Sequence, residues 1–380
     1  MKLLKIDQLS YWERTTYFDG IDFLIIGAGI VGFSASIELK KKYPNAKIVL
    51  LERGYLPTGA SSKNAGFACF GSVTELVDDL TKMSEADVFD TVQKRWEGLQ
   101  NIKSVIGPNY LQLETFGSWD LISPIESVEL PLLREKIAYL NEKMIHITGE
   151  KGVFSEDDSC CSTFGFNGVT TSFFNRLEGQ INTGTMLARF HQIAVEMGVL
   201  CLFNISVEAI LSDSKKSELV TSIGKINAEH VLICTNGFAK QFLPNEDVFP
   251  ARAQVIMTSP IANLPVKGTF HFQQGYYYFR NVENRILLGG GRNLNFEGET
   301  TTELETTEEI TFALKQMLSE MILPNNAFSI DYSWAGIMGV GATKAPIVKK
   351  IDSRTAVGVR MGGMGIAIGS LVGKELADLF

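Results

Sequence analysis

Cysteine is scarce, with five in 380 residues: Cys69, Cys160, Cys161, Cys201 and Cys234. No two are spaced C-x-x-C. An odd, scattered set argues against a disulfide framework and for a reducing, cytoplasmic compartment. Adjacent Cys160 and Cys161 read as a loop pair near Asp157 and Asp158 rather than as a redox couple. The four histidines (His146, His191, His230 and His271) are dispersed, so no zinc or other metal centre is expected. Positive charge is not in excess. The formal net charge is −8 and no Lys/Arg stripe exists, which sets nucleic acid aside as a partner. Long apolar runs are missing as well. The opening MKLLKIDQLSYW loses its apolar character after two leucines, unlike a secretory leader. The C-terminal IAIGSLVGKELADLF carries Lys374, Glu375 and Asp378. It reads as an amphipathic helix, short of the ~20 apolar residues of a membrane span.

The rest is ordinary globular composition, 45% hydrophobic and 21% charged, in a chain long enough for two domains. DFLIIG (22–27) is a short apolar run, as in a buried parallel strand. Residues 30–43 have helical apolar spacing, and AKIVLLE (46–52) is a second buried strand, so the chain opens as a βαβ unit. Residues 73–106 and 128–143 read as amphipathic helices, and 111–122 as an exposed alternating strand between them. A helix over 183–198, LCLFNISVEAIL, a hairpin and the buried strand HVLICTNG return to the first texture. Longer alternating strands fill 250–333, interrupted by a helix over 303–321, before a final strand, glycine turn and helix.

Gly27-Ala28-Gly29-Ile30-Val31-Gly32 fits G-x-G-x-x-G between a buried strand and a helix, and Glu52 ends the next strand at the spacing of a carboxylate that grips ribose hydroxyls. Gly27 permits the tight turn, Gly29 lets the backbone approach a pyrophosphate, and Gly32 lets helix and strand pack closely. The first helical residues, Ile30 and Val31, present N–H groups and dipole to the phosphates. Glu52 is expected as an exposed strand-end carboxylate, and it disfavours a 2′-phosphate. Arg53 beside it either flanks the adenine or lies in solvent. GASSKNAGF (59–67) then gathers small and hydroxyl residues where backbone N–H groups can press on a flavin or pyrophosphate.

GAGIVG with Glu52, GASSKNAGF, INTGTM, AEHVLICTNGF and GGMGIAIGSLVGKELADL occur in this order over nearly the whole chain. Together they resemble the D-amino-acid-oxidase-like flavoprotein family, which includes glycine oxidase, sarcosine oxidase and gamma-glutamylputrescine oxidase. SYW and GASSKNAGF are most similar to the last branch. The resemblance implies an α/β fold, a glutathione-reductase-like FAD-binding Rossmann domain (1–75, 178–249 and 334–380). Interleaved with it is an α+β substrate domain with a mixed or antiparallel sheet (76–177 and 250–333). It further implies that Ser61, Ser62, Asn64, Ala65 and Gly66 line phosphate and flavin, that Val207 meets the adenine through its backbone, and that Thr235 and Gly237 lie near the pyrophosphate. Met364, Gly365 and Ile366 would set a helix N-terminus at the flavin N1–C2 carbonyl, where reduced flavin carries negative charge.

The chain departs from that family at two points. Met338, after Trp334-Ala335-Gly336, stands where the amino acid oxidases carry a carboxylate-binding Arg, so simple α-amino acids and glycine are expected to be poor substrates. Gly339 to Thr343 hold no Cys, so FAD is expected to be noncovalent. On the substrate side, alternation puts Tyr276, Tyr278 and Arg280 on one strand face, as candidates to anchor an amine with a distant carboxylate. The resemblance implies oxidation of a C–N bond of a small amine or amino acid by hydride transfer to flavin N5, with O2 as acceptor. Two rivals stay open: a dehydrogenase of a 2-hydroxy acid or glycerol phosphate feeding a quinone or protein, and a flavin-bearing protein without turnover.

Overall fold

The computed structural model describes residues 4–212 and 216–380. Two apolar runs build its first sheet. In Ile21–Ile26, Phe23 and Ile25 join one core cluster while Leu24 and Ile26 join another on the opposite face. Ile48–Leu51 divides in the same way, Leu50 to the first and Val49 and Leu51 to the second. A strand covered on both faces has no solvent side, so its sequence is continuously apolar. The sheet order is Ile347–Lys350, Thr355–Val359, Gly224–Ile233, Ile21–Ile26, Ile48–Leu51, Leu200–Leu202. All neighbours run parallel except the edge strand Ile347–Lys350. Val207–Ser212 and Ser217–Thr221 pair antiparallel beside it; the tip of this hairpin, 213–215, lies outside the described residues.

The helix expected over 73–106 is two, Val73–Lys82 and Glu85–Ile106, because the Ser84 hydroxyl accepts the Asp87 N–H and caps a new start. The others are Leu130–Thr148, Thr183–Glu196 and a short Glu308–Met317. Cys160 and Cys161 begin a helix, Cys160–Phe164, rather than lying in a loop. The C-terminal helix Gly365–Ala377 is not an amphipathic surface helix. It lies between Ile30–Lys42 and Glu85–Ile106, with Ile366 to Ser370, Val372, Leu376 and Ala377 all buried. A Cβ on Gly373 would sit 2.7 Å from the Val31 carbonyl oxygen, so these helices touch backbone to backbone, and Ser370 Oγ donates to the Gly98 carbonyl at 2.8 Å. Among the described residues no helix is long and apolar enough to cross a membrane.

The second sheet has the order Ile330–Val340, Phe249–Thr258, Arg285–Gly290, Tyr277–Val282, Thr269–Phe272, Ser118–Ile122, Thr171–Asn175, Phe154–Glu156. It is antiparallel apart from the Thr269–Phe272 and Ser118–Ile122 pair. Two expectations change here. Of 111–122 only Ser118–Ile122 is a strand, and it is buried throughout because it has neighbours on both sides; its polar alternation serves an inner cluster in which Asp120 accepts the Thr74 N–H at 2.8 Å. Residues 334–340 belong to Ile330–Val340 at the edge of this sheet, so the boundary at 334 cuts a strand. One sheet face packs on an aromatic core of Trp119, Phe166, Phe270 and Phe279. The other carries His271 and Tyr278, directly paired across strands, toward the first sheet.

Candidate active site

A cavity of about 850 Å³ is lined by residues of both sheets. At one end the first strand stops at the glycine turn. Gly27 takes φ +105°, and a Cβ there would lie 2.8 Å from the Cys234 carbonyl oxygen, so only glycine suits the turn. A Cβ on Gly32 would overlap the Gly27 carbonyl oxygen, which keeps Gly32 out of the cavity wall and makes it the packing contact between helix and turn. The first intrahelical bond is Phe33 N–H to Gly29 O, so the N–H groups before it point out of the helix end. Ser61 Oγ accepts that of Ile30 at 3.1 Å. A second helix opens on the same cavity. Met364, Gly365 and Ile366 line it, and the first bond of their helix is Ile368 N–H to Met364 O.

Most of the residues singled out in the sequence meet here. Gly27, Gly29, Ile30, Val31, Glu52, Arg53, Ser61, Asn64, Ala65, Gly66, Val207 and Thr235 all line the wall. Thr235 Oγ1 is buried without a protein partner. The Val207 carbonyl accepts from Gln241 Nε2 at 3.3 Å. Arg53 stacks on the Phe238 ring at 3.7 Å. Glu52 departs from expectation. It is only 8% exposed, and its two oxygens accept the N–H groups of Ala28 (3.0 Å) and Gly54 (2.9 Å), so it braces the turn as well as facing the cavity.

Four residues lie elsewhere. Gly32 is inside the packing, as above. Ser62 is outside the wall, its hydroxyl donating to Gly59 O at 3.1 Å. Gly237 is outside the wall and is pressed against the Met338 backbone carbonyl, where a Cβ would overlap it, so its lack of a side chain lets this segment pack on the strand Ile330–Val340. Arg280 is 8% exposed and absent from the wall. It lies behind the turn, its Nη2 3.1 Å from where a Gly66 Cβ would stand, and burial lowers its guanidinium to about 10. Tyr276 lines the cavity but is not on the strand face of Tyr278. Gln273, Gln274 and Gly275 take left-handed φ, and the strand begins at Tyr277.

The wall contributed by the second sheet is uncharged over a wide pH range. Burial holds His271 down to about 4, against the pull of Glu75, and pushes Tyr278 up to about 12. Both rings meet the Phe67 ring edge-on, at 5.3 and 5.7 Å. Met338 also lines the cavity. The helix Val73–Lys82 adds Glu75 and Asp79, four apart on one face, which clasp Lys344 at 2.8 and 2.7 Å. Burial alone would raise Glu75, but Arg95 and Lys344 bring it down to about 2. Sequence reading missed His271, Arg292 and this acidic pair; only the i, i+4 spacing of the pair was visible as a signal.

Next to this wall Cys69, Glu178 and His271 place ligand-type atoms within 4.8 Å of one another, the one such group among the described residues. They form a cluster of two acids held toward their protonated forms and a neutral base. Burial pushes Cys69 well up and Glu178 to about 7, although Glu178 Oε1 accepts the N–H groups of Phe70 and Gly71 at 2.6 and 2.9 Å. A carboxyl whose folded pKa lies above its unfolded 4.5 costs nothing below pH 4.5. It destabilises the fold progressively as pH rises toward 7. Glu178→Gln keeps an oxygen for both N–H groups. It should therefore stabilise the protein at pH 8, by up to about 3 kcal/mol, and do little at pH 4.5. Urea midpoints at the two pH values check this; an equal change at both would contradict it.

The comparisons with known proteins agree with this architecture. The family model described as FAD dependent oxidoreductase matches residues 22–379. The chain is 19% identical to the probable oxidoreductase OrdL of Haemophilus influenzae, over 96% of this chain and 83% of that protein. Its fold is similar to glycine oxidase from Bacillus cereus (TM-score 0.71, 16% identity, 94% of each chain) and to L-proline dehydrogenase from P. horikoshii (TM-score 0.73, 17% identity, 94% of this chain and 92% of that one). With a cavity between a Rossmann-type sheet and a second sheet, and a family match over nearly its whole length, the chain belongs to the FAD dependent oxidoreductase family.

Proposed function

We propose that this enzyme oxidises the C–N bond of a small amine or amino acid. The reading is carried by one observation: a single cavity has two helix N-termini on one side and the neutral His271 and Tyr278 pair on the other. FAD fits the first side. The Gly27 to Val31 turn, Ser61 and the orphaned Thr235 hydroxyl would offer donors to a pyrophosphate, Glu52 would hold the ribose, and the Gly365 helix end would suit the electron-rich edge of a reduced ring. Bound there, FAD supplies a two-electron acceptor at N5, turned over by O2. The chain's own task is to hold a neutral amine in a dry pocket. Neither His271 nor Tyr278 changes charge between about pH 4 and about pH 12, so this pair adds no ion that would favour the ammonium form, and the nearby Glu75 and Asp79 carboxylates are already matched by Lys344.

The cavity thiols support a noncovalent cofactor. Cys69 and Cys234 are buried, and burial raises both well above the range in which a thiolate forms. The purified protein is expected to be yellow and to release intact FAD on heat or acid treatment; flavin retained in the precipitate would refute the noncovalent link. Anaerobic mixing with a panel of amines and amino acids should bleach the flavin with at least one of them. No bleaching by any amine, together with bleaching by a 2-hydroxy acid or glycerol phosphate, would replace this reading with the dehydrogenase. Oxygen consumption with the reactive amine tests the acceptor.

A further inference from the structure

The substrate side of the cavity holds a cation without a counter-charge. Arg292 follows Gly290 and Gly291 at the end of its strand and lines the cavity with Tyr276 and Gln274. Three other cations of the wall are engaged. Lys344 is held by Glu75 and Asp79, and Lys82 pairs with Asp78 at 2.6 Å. Arg53 is stacked on Phe238 beside Glu52, at the other end, and Lys63 lies with the Gly59 to Phe67 segment on the cofactor side. Arg292 has no carboxylate within ion-pair distance among the described residues. Glu299 is occupied by Arg252 at 2.8 Å and by Gln254 at 2.9 Å. The Arg292 Nε is buried with no partner, its guanidinium lies 5.0 Å from the Phe296 ring centre, and burial lowers its pKa. A planar, half-buried fork of donors, steadied by an aromatic ring, is matched by a carboxylate accepting two of its N–H groups.

Building on the amine-oxidase reading above, we infer that Arg292 binds a carboxylate of the substrate, and that the preferred substrates are amines bearing an anionic group removed from the reacting nitrogen. The removal follows from position. Tyr278 pairs with Gly289, whereas Arg292 lies three residues farther along, past the strand end and next to the Tyr276 turn. Met338, a thioether, offers a carboxylate no donor. Arg280, the anchor expected from alternation, is outside the wall.

The test needs no turnover. The FAD-loaded protein is titrated with butyrate, and with butyramide as the uncharged control, following the visible flavin band. Butyrate should bind saturably and butyramide at least about tenfold more weakly. Arg292→Gln should weaken butyrate by about tenfold or more and abolish the preference, the scale of a lost charge-assisted pair. Arg292→Lys should recover part of it. FAD content reports folding of each variant. No butyrate binding, equal binding of the two probes, or an Arg292→Gln protein that binds butyrate like the parent would each overturn the assignment. Those results would leave amine-driven flavin bleaching intact. Failure of every amine to bleach the flavin would instead remove the oxidase reading, with the butyrate result unaffected.

Discussion

Replacing Gly32 by alanine should give a protein that purifies with little or no FAD, its affinity lowered by about a hundredfold or more. The added Cβ would overlap the Gly27 carbonyl oxygen, a backbone atom at the centre of the glycine turn, with the Ile25 side chain also at 3.4 Å. Backbone cannot rotate away as a long side chain can, so the helix Ile30–Lys42 must lift from the strand or the turn must open. Either movement displaces the N–H groups at the helix end from where the Gly27 to Val31 turn holds them, and a phosphate site depends on their convergence. Some stability should be lost too, because the same helix is packed backbone to backbone against Gly365–Ala377. The ratio of flavin to protein absorbance, before and after incubation with excess FAD, measures the effect. A fully loaded alanine variant would mean that the turn does not hold the cofactor.

Glu52→Ala should be nearly as damaging, for two reasons that one measurement separates. The carboxylate faces the cavity, where loss of a charge-assisted hydrogen bond to ribose costs about 1.5–3 kcal/mol of FAD affinity. It also accepts the N–H groups of Ala28 and Gly54, and removing it leaves both donors unmatched in a site 8% exposed. The apoprotein itself should therefore lose about 1–3 kcal/mol of stability, a consequence not expected of the exposed carboxylate inferred from sequence. Glu52→Gln retains an oxygen for one N–H group and should fall between. Denaturant unfolding of the apoprotein, run beside FAD titration, divides the two effects. An apoprotein as stable as the parent would show that the turn does not rely on Glu52.

The parts of the site read from sequence are those written in local spacing. The glycine fingerprint, the acidic residue at the end of the second strand and the small-residue segment from Gly59 to Phe67 all came together around one cavity. Each is a short motif whose geometry follows from a turn or a helix end, and short-range geometry is fixed by a few consecutive residues. The surroundings of Gly237 depend on a distant segment instead. Its motif looked like the first glycine turn, but what surrounds it is the Met338 carbonyl, contributed by a strand a hundred residues later in the chain. Tyr276 departs for another reason: period-2 alternation holds only within a strand, and the left-handed residues Gln273 to Gly275 leave Tyr276 outside the strand that begins at Tyr277. Arg280 does share the strand with Tyr278, but two residues farther along it lies against Gly66 instead of the cavity.

The sequence by itself determined that this chain builds a doubly covered parallel sheet ending in a dinucleotide turn, because unbroken apolar runs and glycines at fixed intervals have few other solutions. Only the tertiary structure decided the substrate side. Whether Arg280 or Arg292 reaches the cavity, and which carboxylates neutralise Lys344, depend on how the second sheet and the helix Val73–Lys82 are laid beside the first sheet. Side chains from Val73–Lys82, Tyr277–Val282 and Ile330–Val340 meet there across more than two hundred residues of chain. Charge pairing and desolvation act through space, at the few ångströms set by that packing, and no pattern of neighbours along the chain encodes them.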